Sequence, residues 1–419
     1  MAAKKTTKKK ARKKSRKKKK EKKKEKKQKT KPGKSQDKQD TSRRKSLLIA
    51  TDSFLPRWDG ISRFLSEIIP CLEKSFDISI LCPNLGTSKF DSDQKITLIK
   101  IPMTRFGVGD FTLAQLKYKT VRRAVKKSDV VFSQTIGPIG ALAIKAAKKY
   151  NKRTVSFIHS IEWELVTKAA GWRLITKYLL FATKIFARRM YSRSNLLIVP
   201  SENIAEMLSW QKIKTRKKII HLGIDTRKFI PPQSRAEAKK VLGIDPDTMI
   251  IGHHGRLGRE KDLMTLLRAY IKLKKTMLNT ALLIVGDGVE SIKKKLASVS
   301  GVILPGSRDN VVPYLQAMDV YCLPSLTETT SLSTLEAMAC GVPVIATRVG
   351  FVKDYLEHGF NGVFFKERNS YDLARKIMFL LNRPGLEVKL SSNARKTVER
   401  EFTWEKTARE IEETLRGLV

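Results

Sequence analysis

The sequence predicts an α/β protein made of two tandem, doubly wound, Rossmann-like domains behind a Lys-rich tail. Three observations predict it. From residue 46 onward, short apolar runs alternate with amphipathic stretches, the pattern of repeated βαβ units around a parallel sheet. The alternation comes in two series, divided at RKFIPPQSRAEAKKVLG by a Pro-Pro pair and no long apolar run. The charge is uneven: residues 1–45 carry 25 Lys and Arg against four Asp and Glu, or +21 of the net +45.

In chain order, residues 1–45 are too polar to bury a core and are expected to be a disordered polybasic tail. The first domain, 46–215, opens with the strand KSLLIATDSFLP and the helical spacing of ISRFLSEIIPCLEK. The strands FDISILC and ITLIKIP follow, then the helix-like LAQLKYKTVRRAVKK, the strand DVVFSQ, the helix IGALAIKAAKKY, the strand RTVSFIH, and LLIVPS with helical NIAEMLSW. The second domain, 216–402, runs through MIIGHHG, the helix DLMTLLRAYIKLKK, ALLIVGDG, VILPG, DVYCLPS, VPVIAT and GVFF, with helices between. The remaining segment, 403–419, reads as a final helix.

Composition narrows the function. A hydrophobic fraction of 41% in 419 residues supports packed cores. No apolar run approaches the ~18 residues of a membrane span, and MAAKKTTKKK lacks the apolar region of a signal peptide. Cys71, Cys82, Cys322 and Cys340 are scattered beside apolar runs, as expected of reduced thiols in a cytoplasmic protein rather than of a metal site. The tail suits counterion release on nucleic acid or attraction to an anionic membrane, with a merely solvated tail as the alternative. It contains no Phe, Tyr or Trp for base stacking, so nucleic acid is the less favoured partner.

Open α/β sheets bind ligands at the carboxyl ends of their strands. In the first domain those positions hold Asp59-Gly60, before a helix, and His159, closing TVSFIH. A Gly there lets backbone N–H groups approach a phosphate; an ordinary βα turn and a structural His are the plainer readings. In the second domain Arg256 and Lys261 follow MIIGHHG, where two cations near a helix N-terminus suit a diphosphate. LLIVGDGVES lacks the third Gly of a dinucleotide fingerprint and reads as a tight turn. Glu328 and Glu336 stand eight residues apart after a strand. A carboxylate accepts two hydrogen bonds at once, which suits the vicinal hydroxyls of a ribose or a hexose.

These residues carry a family resemblance. HHGRLGREKDLMTLLRAY, LLIVGDG and PSLTETTSLSTLEAMACGVPVIATRVGFVKDYLEHGFNG resemble the nucleotide-binding domain of the retaining GT-B glycosyltransferases of family 4, whose signature is E-x7-E. HLGIDTRKFIPP resembles their interdomain segment, DSFLPRWDGISRFLSEI their N-terminal loop and first helix, and SFIHSIEWEL their His-bearing strand. The resemblance implies a GT-B fold, two Rossmann-like domains facing a cleft, with the last helix crossing back onto the first domain. It implies that Arg256 and Lys261 hold the donor diphosphate, that Glu336 bonds the ribose, and that Glu328 contacts the transferred sugar. Backbone N–H groups of Thr330, Ser331 and Leu332 would add to the phosphate site, Gly60 would let the N-terminal loop close on it, and His159 would lie near the reactive face. The nucleotide sugar is then a co-substrate, and neither a cofactor nor a metal is expected. Two departures stand out: Asp59 occupies a position often Gly, and Thr329-Thr330 replaces a common Gly-Phe.

The segment WRLITKYLLFATKIFARRMYSR, 172–193, mixes Trp172 and other apolar residues with cations, as in an interfacial helix on anionic lipid. The expected function is hexose transfer from a nucleotide sugar to a membrane lipid or other glycan acceptor at the cytoplasmic face. The alternatives are a soluble acceptor, a nucleic-acid-binding protein on an inactive scaffold, or an epimerase of the same fold.

Overall fold

The computed structural model describes residues 44–57, 59–86, 96–108, 111–163, 173–328 and 330–418. The expected tail, but for its last two residues, and Trp172 and Thr329 lie outside the described residues.

The strands of the first half are β1 (Lys45–Ala50), β2 (Phe76–Pro83), β3 (Thr97–Ile101), β4 (Met103–Val108), β5 (Phe111–Ala114), β6 (Val130–Ser133), β7 (Arg153–Phe157), β8 (Leu196–Val199) and β9 (Lys217–Ile219). Those of the second half are β10 (Met249–His254), β11 (Thr280–Val285), β12 (Val302–Gly306), β13 (Val320–Leu323), β14 (Val344–Thr347) and β15 (Val363–Phe365). All but β4 and β5 build two parallel sheets, ordered β3-β2-β1-β6-β7-β8-β9 and β12-β11-β10-β13-β14-β15. Both are Rossmann-like. The order reverses between β1 and β6 and between β10 and β13, so each sheet opens a ligand crevice beyond those strand ends. The strands are apolar on both faces because helices cover both; TALLIV of β11 is buried throughout.

The first helix, Gly60–Leu72, starts after β1 because Asp59 caps it. Asp59 Oδ1 accepts from the N–H of Ile61 and Ser62, and Ser62 Oγ accepts from the N–H of Asp59. The apolar face of this helix, Phe64, Leu65, Ile68 and Leu72, packs with Trp404, Ala408, Ile411 and Leu415 of the last helix, Trp404–Arg416. The last helix therefore crosses onto the first domain. At the crossing, Ile224 N–H donates to Phe402 O at 2.7 Å. A Cβ on Gly223 would lie 2.3 Å from the backbone of Thr403 and Trp404, so only glycine lets the linker pass. Among the described residues no helix is long and apolar enough to cross a membrane.

One stretch differs from the sequence reading. LAQLK, expected to begin a helix, instead ends a hairpin in which β4 and β5 pair antiparallel, Met103 opposite Ala114 and Val108 opposite Phe111. The helix starts only at Tyr118. Cross-strand pairing overrode the helical spacing of Leu113 and Leu116, and both side chains are exposed.

The turn after β11 is stereochemically tight. Gly286 has φ +141°, and a Cβ there would fall 2.0 Å from Gly255 O. Gly286→Ala is expected to lose about 3 kcal/mol in urea denaturation. Gly60→Ala is expected to stay within about 1 kcal/mol of the parent, because a Cβ at that helix start meets nothing within 4 Å.

Candidate active site

The two switch points place three side chains in one buried cluster. Glu336 lies on the helix Leu332–Ala339, which follows β13, and is 2% exposed. Its Oε1 is 2.7 Å from Nη1 of Arg63, one turn into the first helix of the other domain. Its Oε2 is 2.8 Å from Nε2 of His254, the last residue of β10. Burial pushes the Glu336 carboxyl up, but His254 and Arg63 more than reverse this and hold it below the ordinary range. The carboxylate is thus ionised, oriented and shared between the two domains.

A second pair lies beside it. Lys261 Nζ donates to Glu328 Oε1 at 2.6 Å, and Ser325 Oγ donates to the same oxygen at 2.6 Å. The Glu328 loop rests on Gly350, whose φ is +51° and whose Cβ, if present, would sit 1.8 Å from Glu328 O. Arg256, mostly exposed, donates to Glu260. Arg256, Lys261 and Glu328 line one face of a cleft cavity of about 400 Å³, with Ser160, Ile161 and Ile204 of the first domain opposite. The cations expected at the diphosphate therefore reach one cavity, and each already faces a carboxylate.

The other expected residues are placed as follows. Ser331 is the N-cap of the helix bearing Glu336, at φ 54° and ψ 70°, with no side-chain cap. A non-glycine residue in this left-handed conformation is strained, and it leaves first-turn N–H groups of Leu332 and its neighbours without a side-chain acceptor. Thr330, just before it, is buried, and its Oγ1 has no partner. Gly60 is the first residue of the first helix, one turn from Arg63, and is not among the cavity's lining.

His159 stacks on Phe157 at 4.4 Å and meets Phe64 edge-on at 4.8 Å. Its Nε2 is 2.9 Å from Gln134 Oε1. That oxygen only accepts, so Nε2 carries the hydrogen. Burial pushes the imidazole down to about 3, so it is neutral at physiological pH. Its ring belongs to this aromatic layer, and the next residue, Ser160, reaches the cavity. Among the described residues no three His, Cys, Asp or Glu side chains converge as a metal site.

The sequence reading missed Arg63 and His254. The His-His pair in MIIGHHG was a visible signal: two imidazoles end a buried strand where apolar residues would suffice. His253 Nδ1 is 2.9 Å from Cys322 O, which accepts its hydrogen, and its Nε2 has no partner. Arg63 offered no local signal, because its partner is 273 residues away in sequence.

Removing Arg63 leaves a buried carboxylate with one partner fewer. Arg63→Ala is expected to cost about 2 kcal/mol at neutral pH. Because the folded-state pKa of Glu336 lies below 4.5, the ordinary value, its stabilisation is present above that value and is lost as pH falls through the folded-state one. Denaturation midpoints of parent and variant measured against pH should converge on acidification. A gap unchanged at low pH would show that the pair contributes nothing through charge.

Comparisons with known proteins agree with this fold. The family model for glycosyl transferases group 1 matches residues 234–397, and that for glycosyltransferase family 4 matches residues 58–228. An alpha-monoglucosyldiacylglycerol synthase of Acholeplasma laidlawii is 25% identical over 83% of this chain and 90% of its own. A UDP-Gal:alpha-D-GlcNAc-diphosphoundecaprenol alpha-1,3-galactosyltransferase of Escherichia coli is 26% identical over 79% of this chain and 87% of its own. A crystal structure of Anabaena HepE in complex with UDP superposes with a TM-score of 0.72 at 20% identity, over 89% of this chain and all of that one. Two sheets with their crevices facing one cleft, and family models spanning both halves, identify the chain as a GT-B glycosyltransferase of family 4.

Proposed function

We propose that the protein transfers a hexose from a nucleoside diphosphate sugar to a hydroxyl acceptor, with retention of anomeric configuration and without a metal. Two observations carry this reading: Glu336 is buried and ionised on the helix that follows the Glu328 loop, and Lys261, Arg256 and Glu328 line one cleft cavity. The ribose hydroxyls donate to Glu336, and Glu328 faces the sugar. Lys261, Arg256 and the first-turn N–H groups of the helix Leu332–Ala339 stabilise the charge that grows on the leaving diphosphate. The bond from the anomeric carbon to the β-phosphate oxygen breaks, and one to the acceptor oxygen forms on the same face. The departing phosphate oxygen takes the hydroxyl proton, so no side-chain base is needed. His159, neutral and fixed in its aromatic layer, shapes the floor by which the acceptor arrives.

The acceptor we infer is a membrane lipid or glycoconjugate. Two relatives carry lipid names: one is a glucosyldiacylglycerol synthase and one acts on a diphosphoundecaprenol. The helix Arg173–Tyr191 supports a peripheral membrane position. It buries Ala187, Met190 and Tyr191 but exposes Tyr178, Phe181, Ile185 and Phe186 beside Arg188 and Arg189. Aromatic anchors with interleaved arginines suit an anionic interface.

Thermal unfolding in the presence of UDP, GDP and ADP tests the donor site. One nucleotide is expected to raise the Tm, and Glu336→Ala to weaken its binding at least tenfold, about 1.4 kcal/mol. A folded protein that responds to none of the three would refute the assignment. Co-sedimentation with phosphatidylglycerol vesicles tests the membrane face. The double variant Tyr178→Ser, Phe181→Ser is expected to bind several-fold more weakly, and unchanged binding would remove this helix from the membrane contact.

A further inference from the structure

Among the described residues, the first domain's side of the cleft cavity is uncharged. It is formed by Ser160, Ile161, Ser201, Asn203, Ile204 and Met207. In a chain with 85 Lys and Arg, six described wall positions without a cation call for a reason. The helix Glu202–Trp210 shows how it is arranged. Positions 203, 204 and 207 share one helical face and line the cavity, whereas Glu202 and Glu206 are exposed. Ile161 and Ile204 are 7% and 6% exposed, so this wall is firmly packed. Gly350 and Phe351 of the second domain also line the cavity.

The charges on the far wall cancel. Arg256 faces Glu260, and Lys261 faces Glu328. Once a donor diphosphate engages the two cations, the cavity holds only carboxylates to greet an incoming acceptor. A phosphate-bearing acceptor would then lose its hydration with no cation to replace it, and would meet like charge as well. An alcohol asks far less: Ser160, Ser201 and Asn203 supply hydroxyl and amide groups, and Ile161, Ile204 and Met207 supply apolar surface. At about 400 Å³ the cavity is near the lower end of small-molecule sites. It accommodates a reacting headgroup, and the bulk of a larger acceptor stays outside.

We propose that this wall selects an electrically neutral alcohol on an apolar carrier, a diglyceride-like lipid, against acceptors that carry phosphate at the reacting end. Ile204 and Met207 are the specificity-determining residues. The inference rests on the transferase reading above. In the step it describes, the acceptor hydroxyl oxygen bonds to the anomeric carbon as the bond to the phosphate oxygen breaks. The nucleoside diphosphate leaves with the hydroxyl proton, and no further reactant is required.

The test uses the full chain with tritiated UDP-glucose, UDP-galactose and GDP-mannose in turn. The acceptor is supplied as vesicles of equal parts dioleoylglycerol and dioleoylphosphatidylglycerol, two lipids that each present a primary hydroxyl, the first uncharged and the second behind an anionic phosphodiester. Labelled lipid is passed through an anion-exchange resin. Label that runs through unretained is the expected result. Label retained as anionic lipid would overturn the proposal, and so would the absence of any labelled lipid. Nucleotide-induced thermal shift, measured on the same protein, reports the donor reading separately. Met207→Lys is expected to cut transfer to dioleoylglycerol at least about tenfold while leaving the nucleotide-induced shift intact. A lysine variant that glycosylates dioleoylglycerol as fast as the parent would overturn the role of this wall.

Discussion

A carboxylate as deeply buried as Glu336 is stable only with partners, since an unpaired buried charge costs several kcal/mol. Its two partners come from opposite sides of the cleft: His254 from the end of β10 and Arg63 from the first helix of the other domain. One ion cluster therefore does three things. It keeps the carboxylate charged, fixes the direction of its lone pairs, and ties the separation of the two domains to the state of this carboxylate. The last helix completes the frame. It packs on the first helix and so sets where Arg63 can reach. A change in domain spacing must be felt at Glu336, and a ligand that competes for its oxygens must be felt at the domain interface.

The pair Lys261 and Glu328 works on a different principle. Their bond neutralises a cation that, on the proposed reading, the diphosphate would otherwise meet alone, so nucleotide charge would be recognised by exchange of partners rather than by a bare positive pocket. This matters in a chain of net charge +45. A broadly basic surface raises the local concentration of anions of every kind and speeds their arrival. Selectivity must then come from short range, and a cavity whose fixed charges cancel supplies it: only a ligand that matches the positions of both cations and both carboxylates gains from entering.

The fold was legible because it is written in periodicity. Apolar runs of strand length alternate with helical spacing through both halves, and β10, β11, β13 and β14 coincide with MIIGHH, TALLIV, VYCL and VIAT. The hairpin β4–β5 was not legible, because Leu113 and Leu116 fit a helix and only their cross-strand partners decide otherwise. In the site, Arg256, Lys261, Glu328 and Glu336 could be picked out because each follows a strand and the topology sends strand ends to the crevice. That Lys261 and Glu328 bond to each other, or that Arg63 reaches Glu336, could not be read. Such pairings are set by how two domains meet, and neither local propensity nor spacing encodes that. Gly60 illustrates the converse: the sequence drew attention to it, yet no neighbouring protein atom requires a glycine there.

Among the described residues, left-handed backbone gathers at more strand ends of the second half than of the first, and the proposed division of labour between the halves gives a reason. Gly255, Gly286 and Gly350 stand with positive φ just beyond β10, β11 and β14, and Gly306 does so at the end of β12. Ser331 and Asp262 adopt the left-handed conformation immediately before helices of the same domain, although they are not glycines. Around the first sheet the described positive-φ residues are Asn151 and Lys212, which follow helix ends, where that conformation is routine, and Gly86, which lies beyond β2. Close backbone approach is what a diphosphate demands, because N–H groups must come within hydrogen-bond distance of oxygens on every side. An alcohol on an apolar carrier makes no such demand. It needs packed side chains and a few hydroxyls, which ordinary strand–helix turns present without strain. On the proposed reading, the strained turns of the second domain serve a fixed chemical group, while the first domain's wall can be redrawn by side-chain substitution alone.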